Sequence, residues 1–288
     1  MLIGAHESIS GGFWKSVVRA VEDGCEVIQI FSGSPSRWEV PEIQSGEAAL
    51  FRKELRKAGM RTVLVHGSYL INPASPDPDQ WSRSLTAMIR EYGRCRAVGA
   101  DFLVVHPGSH RGQGAAGGVE RSAEMVRGVL TEWEDGPMIL LENTAGSGST
   151  LGGTFLELGR IRRASGFSDR VGYCFDTAHA FAAGYALSGD GGIRRVLDEV
   201  DREAGLDLVK AFHLNDSARE FGSRVDRHAR IGEGLMGLDP FRELVADAGL
   251  AGLPGVLETQ PLPVLHGRYR DQVDLLKGMR VKGRIRPR

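Results

Sequence analysis

Short apolar runs recur along the chain, separated by stretches in which apolar residues return every three or four positions. The runs are "LIGAH" (2–6), "VIQIF" (27–31), "TVLVH" (62–66), "FLVVH" (102–106), "MILLE" (138–142), "GYCFD" (172–176), "VKAFH" (209–213) and "GVLE" (255–258). Continuous apolar runs suit parallel strands covered on both faces, whereas a half-exposed strand would alternate. The stretches between, such as 79–98 and 117–134, carry amphipathic helical patterns. Eight strand–helix units with right-handed crossovers predict an α/β chain folded as one closed (β/α)8 TIM barrel, with its active site at the C-terminal ends of the strands. No Gly-, Ser- or Pro-rich linker and no internal repeat divides residues 1–276, which are expected to form the barrel domain. The remainder, "KGMRVKGRIRPR" (277–288), has six basic residues and no acid, and reads as a solvated tail able to touch phosphate.

The endings of the runs change the picture from fold to chemistry. Seven of the eight close on an ionisable residue: His6, His66, His106, Glu142, Asp176, His213 and Glu258. One histidine at a strand end is an ordinary rim residue. Seven such groups around one rim repel or desolvate one another unless something compensates them. A divalent metal is the natural compensator, and imidazole with carboxylate but no thiolate suits zinc, manganese or iron. Two loop pairs extend the set. In "DTAHAFAAG", His179 follows Asp176 by about one helical turn. In "GSRVDRHARIGEG" (222–234), Asp226 and His228 stand two apart, so in an extended segment they share a face. Setting His6 aside as a supporting residue leaves nine candidate ligands: His66, His106, Glu142, Asp176, His179, His213, Asp226, His228 and Glu258. A single catalytic zinc takes about three protein ligands; nine, with one carboxylate shared, suit three ions.

Composition excludes more than it adds. At 288 residues, 41% hydrophobic and 25% charged, the chain is an ordinary globular protein with a substantial core. Its net charge of −1 gives no support for a polyanionic partner, although bound divalent ions would alter that balance locally. Cys25, Cys95 and Cys174 are odd in number and far apart, which argues against a disulfide framework and for a reducing compartment. The start lacks a secretory signal pattern and no apolar run approaches membrane-spanning length, so a cytoplasmic location without membrane contact is expected.

Taken together, "GAHESISGG", "VHGSYLINPASPDP", "VVHPGSH", "LLENTAGSGSTLGGTF", "GYCFDTAHAFAAGY", "FHLNDSAREFGSRVDRHARIGEG" and "LETQP" resemble the endonuclease IV family of apurinic/apyrimidinic endonucleases. The likeness runs from residue 4 to about residue 261, and its DTAHAFAAGY and NDS…GSRVDRH…IGEG blocks are long and specific. It implies a (β/α)8 barrel, a monomer, and three divalent ions per chain, zinc first, with manganese or iron as alternatives. By position, it puts one ion on His66, His106 and Glu142, and a second on Glu142, Asp176, His213 and Glu258. His179, Asp226 and His228 would hold the third, on the side of the departing oxygen. The implied reaction is hydrolysis of the phosphodiester 5′ to an abasic site in duplex DNA, leaving a 3′-hydroxyl and a 5′-deoxyribose phosphate. Removal of blocking groups from 3′ ends is the related activity. Glu142 and Glu258 become the catalytic carboxylates, Glu258 orienting the attacking water. Tyr69 and Leu70, in "SYLINP", become wedges in the base stack, and Arg37 a DNA contact. The chain departs from the family pattern at Ser36 and Ala218, where the family commonly has arginine and lysine, and at Gln260, which lengthens "ETP".

Two competing readings use the same residues. A sugar isomerase or epimerase on this barrel needs one or two divalent ions and has no use for Asp226 and His228 as a third group. A non-catalytic protein that binds damaged DNA would hold an abasic duplex without cutting it. Smaller features are blander. His110 is either a phosphate contact or a capping or packing residue, His266 a solvated one. "NTAGSGSTLGG" lacks the Gly-Lys-Ser/Thr of a nucleotide-binding loop, so its glycines serve tight turns beside Glu142.

Overall fold

The computed structural model describes residues 1–280 apart from Arg61 and Leu265. Eight parallel strands close into a barrel: β1 (Leu2–His6), β2 (Val27–Phe31), β3 (Val63–His66), β4 (Phe102–Val105), β5 (Met138–Glu142), β6 (Val171–Asp176), β7 (Val209–His213) and β8 (Pro254–Leu257). All eight expected strands are present, each within a residue of its expected bounds; β4 and β8 stop one residue short, so His106 and Glu258 are the first residues beyond them. Each strand pairs with its sequence neighbours, and β1 closes the ring against β8 through Leu2–Pro254 to Ala5–Leu257.

Around the barrel lie α1 (Phe13–Glu22), α2 (Ser45–Ala58), α3 (Pro78–Val98), α4 (Ala115–Glu132), α5 (Phe155–Ser165), α7 (Gly192–Ala204), α8 (Asp239–Ala246) and α9 (Arg270–Gly278), while the short α6 (Thr177–Ala183) sits over the end of β6. Their starts and stops follow local chemistry. Asp77 caps α3 by accepting from the amides of Asp79 and Gln80, each at 3.0 Å, with Pro78 in the first turn. Gly99 ends the same helix in the left-handed conformation, where a side chain would be strained.

Two apolar layers result. The larger fills the space between strands and helices, from Ile3, Ile28 and Val65 out to Phe51, Met88 and Phe241. The smaller plugs the lumen: Val27, Leu64, Val104, Leu140, Cys174, Ala211 and Val256, all of them fully buried. The corresponding position of β1 is Gly4, where a Cβ would sit 2.0 Å from the carbonyl oxygen of Val27. Glycine is needed there because β1 and β2 approach too closely for a methyl group.

The expected boundary after residue 276 falls inside α9, which continues to Gly278. Lys277 donates to the carbonyl of Gly24, and Arg280 pairs with Glu26, whose carboxylate also accepts from the amide of Ile3. The beginning of the proposed tail is therefore packed against the barrel, while 281–288 lie outside the described residues. Among the described residues no helix is long and apolar enough to cross a membrane.

Candidate metal centre

Side chains alternate along a strand, so the residue two steps above each lumen-plug position faces the same axis. Stepping from Gly4, Val27, Leu64, Val104, Leu140, Cys174, Ala211 and Val256 arrives at His6, Gln29, His66, His106, Glu142, Asp176, His213 and Glu258. One apolar floor thus carries a ring of eight polar groups. α6 adds His179 from above: Asp176 is the N-cap, and its Oδ1 accepts from the His179 amide at 2.7 Å. Asp226 and His228 arrive on the segment after β7, where His228–Ala229 pairs antiparallel with Asp216–Ser217. The expectation that Asp226 and His228 share a face holds. Their side chains meet with His228 Nε2 3.2 Å from Asp226 Oδ1.

Glu142 stands at the centre, fully buried. Its Oε2 is 3.2 Å from Nε2 of both His66 and His106; its Oε1 is 3.0 Å from His213 Nδ1 and 3.2 Å from His179 Nδ1. His213 Nδ1 is also 3.1 Å from Glu258 Oε2. On the far side, Asp226 Oδ2 lies 3.3 Å from His179 Nε2, and Asp176 Oδ2 lies 3.8 Å from His228 Nε2. Three groups bring nitrogen and carboxylate oxygen atoms within 4.8 Å of one another: His66, His106 and Glu142; Glu142, Asp176, His213 and Glu258; and Asp176, His179 and His228. Asp226 touches both histidines of the last group, so Asp176 joins that group rather than displacing it.

The charges explain what such an arrangement requires. Burial opposes ionisation of Glu142, but His213 and His106 overcome it and hold the carboxyl well below its ordinary range. Burial likewise opposes ionisation of Glu258 and, less completely because its side chain is half exposed, of Asp226, and the imidazoles again win, His213 for the first and His179 for the second. In the reverse direction, burial disfavours a charged His66 or His228, yet Glu142 raises His66 to about 9 and Asp176 raises His228 to about 9. Among the described residues every ion-pair partner of Glu142 is a histidine. Buried carboxylates compensated only by imidazoles are what a divalent cation stabilises best. His228 Nε2 adds a second sign: it is buried and, although 3.2 Å from Asp226 Oδ1, makes no well-aligned hydrogen bond. With oxygen and nitrogen donors and no thiolate, the residues fit zinc, manganese or iron.

Backbone and amide groups aim the rings. His66 Nδ1 donates to the Gly67 carbonyl at 2.9 Å and His179 Nδ1 to the Asn143 carbonyl at 2.9 Å, turning Nε2 of His66 toward Glu142 and Nε2 of His179 toward Asp226. His213 is oriented the other way round. Its Nε2 donates to Gln29 Oε1 at 2.8 Å, which leaves Nδ1 facing Glu142 and Glu258. The amide nitrogen of Gln29 donates to Glu258 Oε1 at 2.6 Å and lies 3.0 Å from His6 Nδ1. Asn215 donates to Asp176 Oδ2 at 2.6 Å while its Oδ1 accepts from the Glu258 amide. His6, as expected, supports the cluster from 3.8 Å beyond Glu258.

The centre floors a cavity of about 620 Å³ whose outer lining includes Phe31, Tyr69, Arg227, Gln260 and Tyr269. Tyr69 is 68% exposed, its ring 5.4 Å from Phe31 and 6.1 Å from His66, so it stands free at the rim. Leu70 is half-buried behind it, and Arg37 is exposed on the loop after β2, outside the cavity lining. His110 accepts from the Gly114 amide at 3.2 Å and caps the start of α4; His266 pairs with Glu22 on the surface. Sequence reasoning missed Gln29, Asn143, Asn215 and Arg227. Arg227 could have been found by its place between Asp226 and His228.

A family model described as xylose isomerase-like TIM barrel matches residues 17–279. The chain is 40% identical to a probable endonuclease 4 of Halothermothrix orenii over 280 residues, 97% of this chain and 99% of the relative. It is 44% identical to one of Geobacter sulfurreducens over 258 residues, covering 89% and 87% of the two chains. Among solved structures, endonuclease IV of Thermus thermophilus superposes with a TM-score of 0.86 at 31% identity, covering 97% of this chain and 98% of the other. A D-psicose 3-epimerase reaches 0.66 at 17% identity, a likeness of fold alone.

Proposed function

The chain belongs to the endonuclease IV family of nucleases, and from that premise we propose that it repairs DNA by hydrolysing the phosphodiester 5′ to abasic sites. The products are a 3′-hydroxyl and a 5′-deoxyribose phosphate, and blocked 3′ ends are a second substrate. Three divalent ions, zinc foremost with manganese or iron as alternatives, belong on the nine side chains, with Glu142 shared between the first two groups. When bound, such ions acidify water and neutralise charge on phosphoryl oxygens.

The chain's own residues supply position and selection. Gln29 and Asn215 hold Glu258 from two sides, so that its carboxylate can orient a water against the phosphorus. Asp226 and His228 complete the side facing the leaving oxygen. Arg227, between them in the cavity lining, is placed to pair with a phosphate. An abasic nucleotide turns out of the duplex at lower unstacking cost than an intact one. Tyr69, free at the rim and backed by Leu70, fills the gap left in the stack; Arg37 follows the strand further out. The working unit is a monomer.

The observation that carries this reading is the carboxylate of Glu142 common to two groups, beside a third group of Asp176, His179 and His228 whose two histidines Asp226 also contacts. It is tested by incubating the protein with duplex DNA carrying one abasic analogue, beside metal analysis. The expected result is a single nick 5′ to the analogue and about three ions per chain. One or two ions without nicking would favour a sugar epimerase, and retention of the duplex without cutting a binding protein. His228→Ala should lose roughly a hundredfold or more in cutting rate while the first two groups stay loaded; wild-type cutting by that variant would remove the third group from the reaction.

A further inference from the structure

The rim tyrosine stands on the loop after β3, and one buried side chain ties that loop down. Glu91, in the fourth turn of α3, is 4% exposed and faces two different strand loops. Its Oε2 accepts from the backbone amide of Ser68 at 3.1 Å, at the residue before Tyr69. Its Oε1 accepts from the hydroxyl of Ser32, at the start of the loop after β2, at 2.9 Å. Arg94, one turn further along and 5% exposed, donates to the same Ser32 hydroxyl at 3.0 Å and lies 3.9 Å from the Glu91 carboxylate. The two loops also join directly, Ser68 Oγ donating to the Pro35 carbonyl at 2.7 Å and accepting from the Leu70 amide. A charged acceptor buried against an arginine and a backbone amide is expensive to leave unmade. The bland reading is a helix staple, but a staple has no reason to end on the amide next to the most exposed aromatic ring at the cavity mouth.

We propose that Glu91 is a positioning residue, which with Arg94 fixes the loops bearing Arg37, Tyr69 and Leu70 before DNA arrives. This rests on the proposed abasic-site reading. A preformed wedge lowers the ordering cost that binding would otherwise carry, so the tether acts on substrate capture rather than on the chemical step.

The test is Glu91→Gln, alone and combined with Tyr69→Ala, with Ser32→Ala as a milder variant that leaves the charge pair in place. In Glu91→Gln the Ser68 amide should exchange with deuterium about tenfold faster while the α3 amides keep their protection. KM for an abasic duplex should rise about tenfold, in line with loss of one charged hydrogen bond. Turnover should stay within about twofold and metal content unchanged. In the Tyr69→Ala background the same substitution should raise KM by less than about twofold, because the group it positions is gone. An unchanged Ser68 exchange rate, or an equal KM penalty in both backgrounds, overturns the proposal. Should Glu91→Gln fail to fold, Ser32→Ala carries the same comparisons with a smaller shift. Absence of nicking by the wild type would instead sink the abasic-site reading, and the exchange measurement would still judge the tether.

Discussion

Gln29 illustrates how a neutral residue can govern a charged site. Its amide distinguishes the two nitrogens of His213 by accepting from one, and its nitrogen end holds Glu258. Gln29→Leu keeps the volume and removes both contacts, so metal affinity at the site of His213 and Glu258 should fall roughly 10- to 100-fold, as measured against a competing chelator. Unchanged affinity would mean that His213 finds its orientation without help. A second buried residue, Glu7, sits outside the metal groups. Burial, a hydrogen bond to Asp23 and the charge of Asp23 raise its carboxyl to about 9 from an ordinary 4.5. The folded protein therefore keeps a proton that the unfolded chain has lost, and this group's contribution to stability declines as pH rises from about 4.5 to about 9. Glu7→Gln stays neutral throughout, and urea unfolding should show it gaining at least ~1 kcal/mol on the wild type between pH 5 and pH 8. Parallel pH profiles for the two proteins would refute this. The strand-end histidines and carboxylates were legible in the sequence because they end apolar runs, and His179, Asp226 and His228 because they pair by spacing in two short segments. Gln29 was not, because it is uncharged and lies two residues before its strand ends. Counting by twos from the plug residue Val27 is the only signal that marks it, and that needs the register of the other strands.

At the scale of elements, the segment carrying Asp226 and His228 is irregular, yet it is organised from below. Asp216, fully buried, accepts from the amides of Ser217 at 2.8 Å, Gly232 at 3.0 Å, Gly234 at 3.1 Å and Met236 at 3.0 Å. A Cβ on Gly234 would approach the Asp216 carboxylate to 2.4 Å, so the "GEG" turn is glycine for reasons of contact. Asp216→Asn offers one donor where an acceptor is needed, at a cost of about 1–3 kcal/mol. It should release the third group of ligands before the barrel: metal analysis would show roughly one ion lost, while the far-ultraviolet melt moves little. Loss of all metal at once would mean that the segment and the barrel form one cooperative unit. Sequence patterning could place this stretch only as a loop, since its order comes from a carboxylate binding amides up to twenty residues away. Strand and helix bodies were readable because each carries its own periodicity; the end of α9 was not, because Lys277 and Arg280 are held by partners in the turn between α1 and β2.

For the whole molecule, the closed barrel separates what holds the chain together from what it does. The lumen plug and the outer core lie below and around the polar ring, so substitutions there should change stability without changing the ligand set. Leu140→Ala removes a fully buried side chain at the middle of the plug and should cost ~2–5 kcal/mol. Metal content of the folded fraction should match the wild type; a drop would show that the floor also sets the spacing of the ring. The (β/α)8 architecture was readable from eight apolar runs and their spacing, whereas the packing of plug against ring depends on all strands at once.

That plug contains Cys174, and its consequence is experimental. The thiol is fully enclosed by the lumen, and burial drives its ionisation well above the ordinary range, so a labelling reagent meets neither access nor a nucleophile. Cys95 is enclosed in the same way on the helical shell, and Cys25 is only half covered. The chain thus carries its own gauges at three places: alkylation rates at Cys25, Cys95 and Cys174 would time, in one native sample, the loosening of the turn between α1 and β2, of the shell and of the barrel itself.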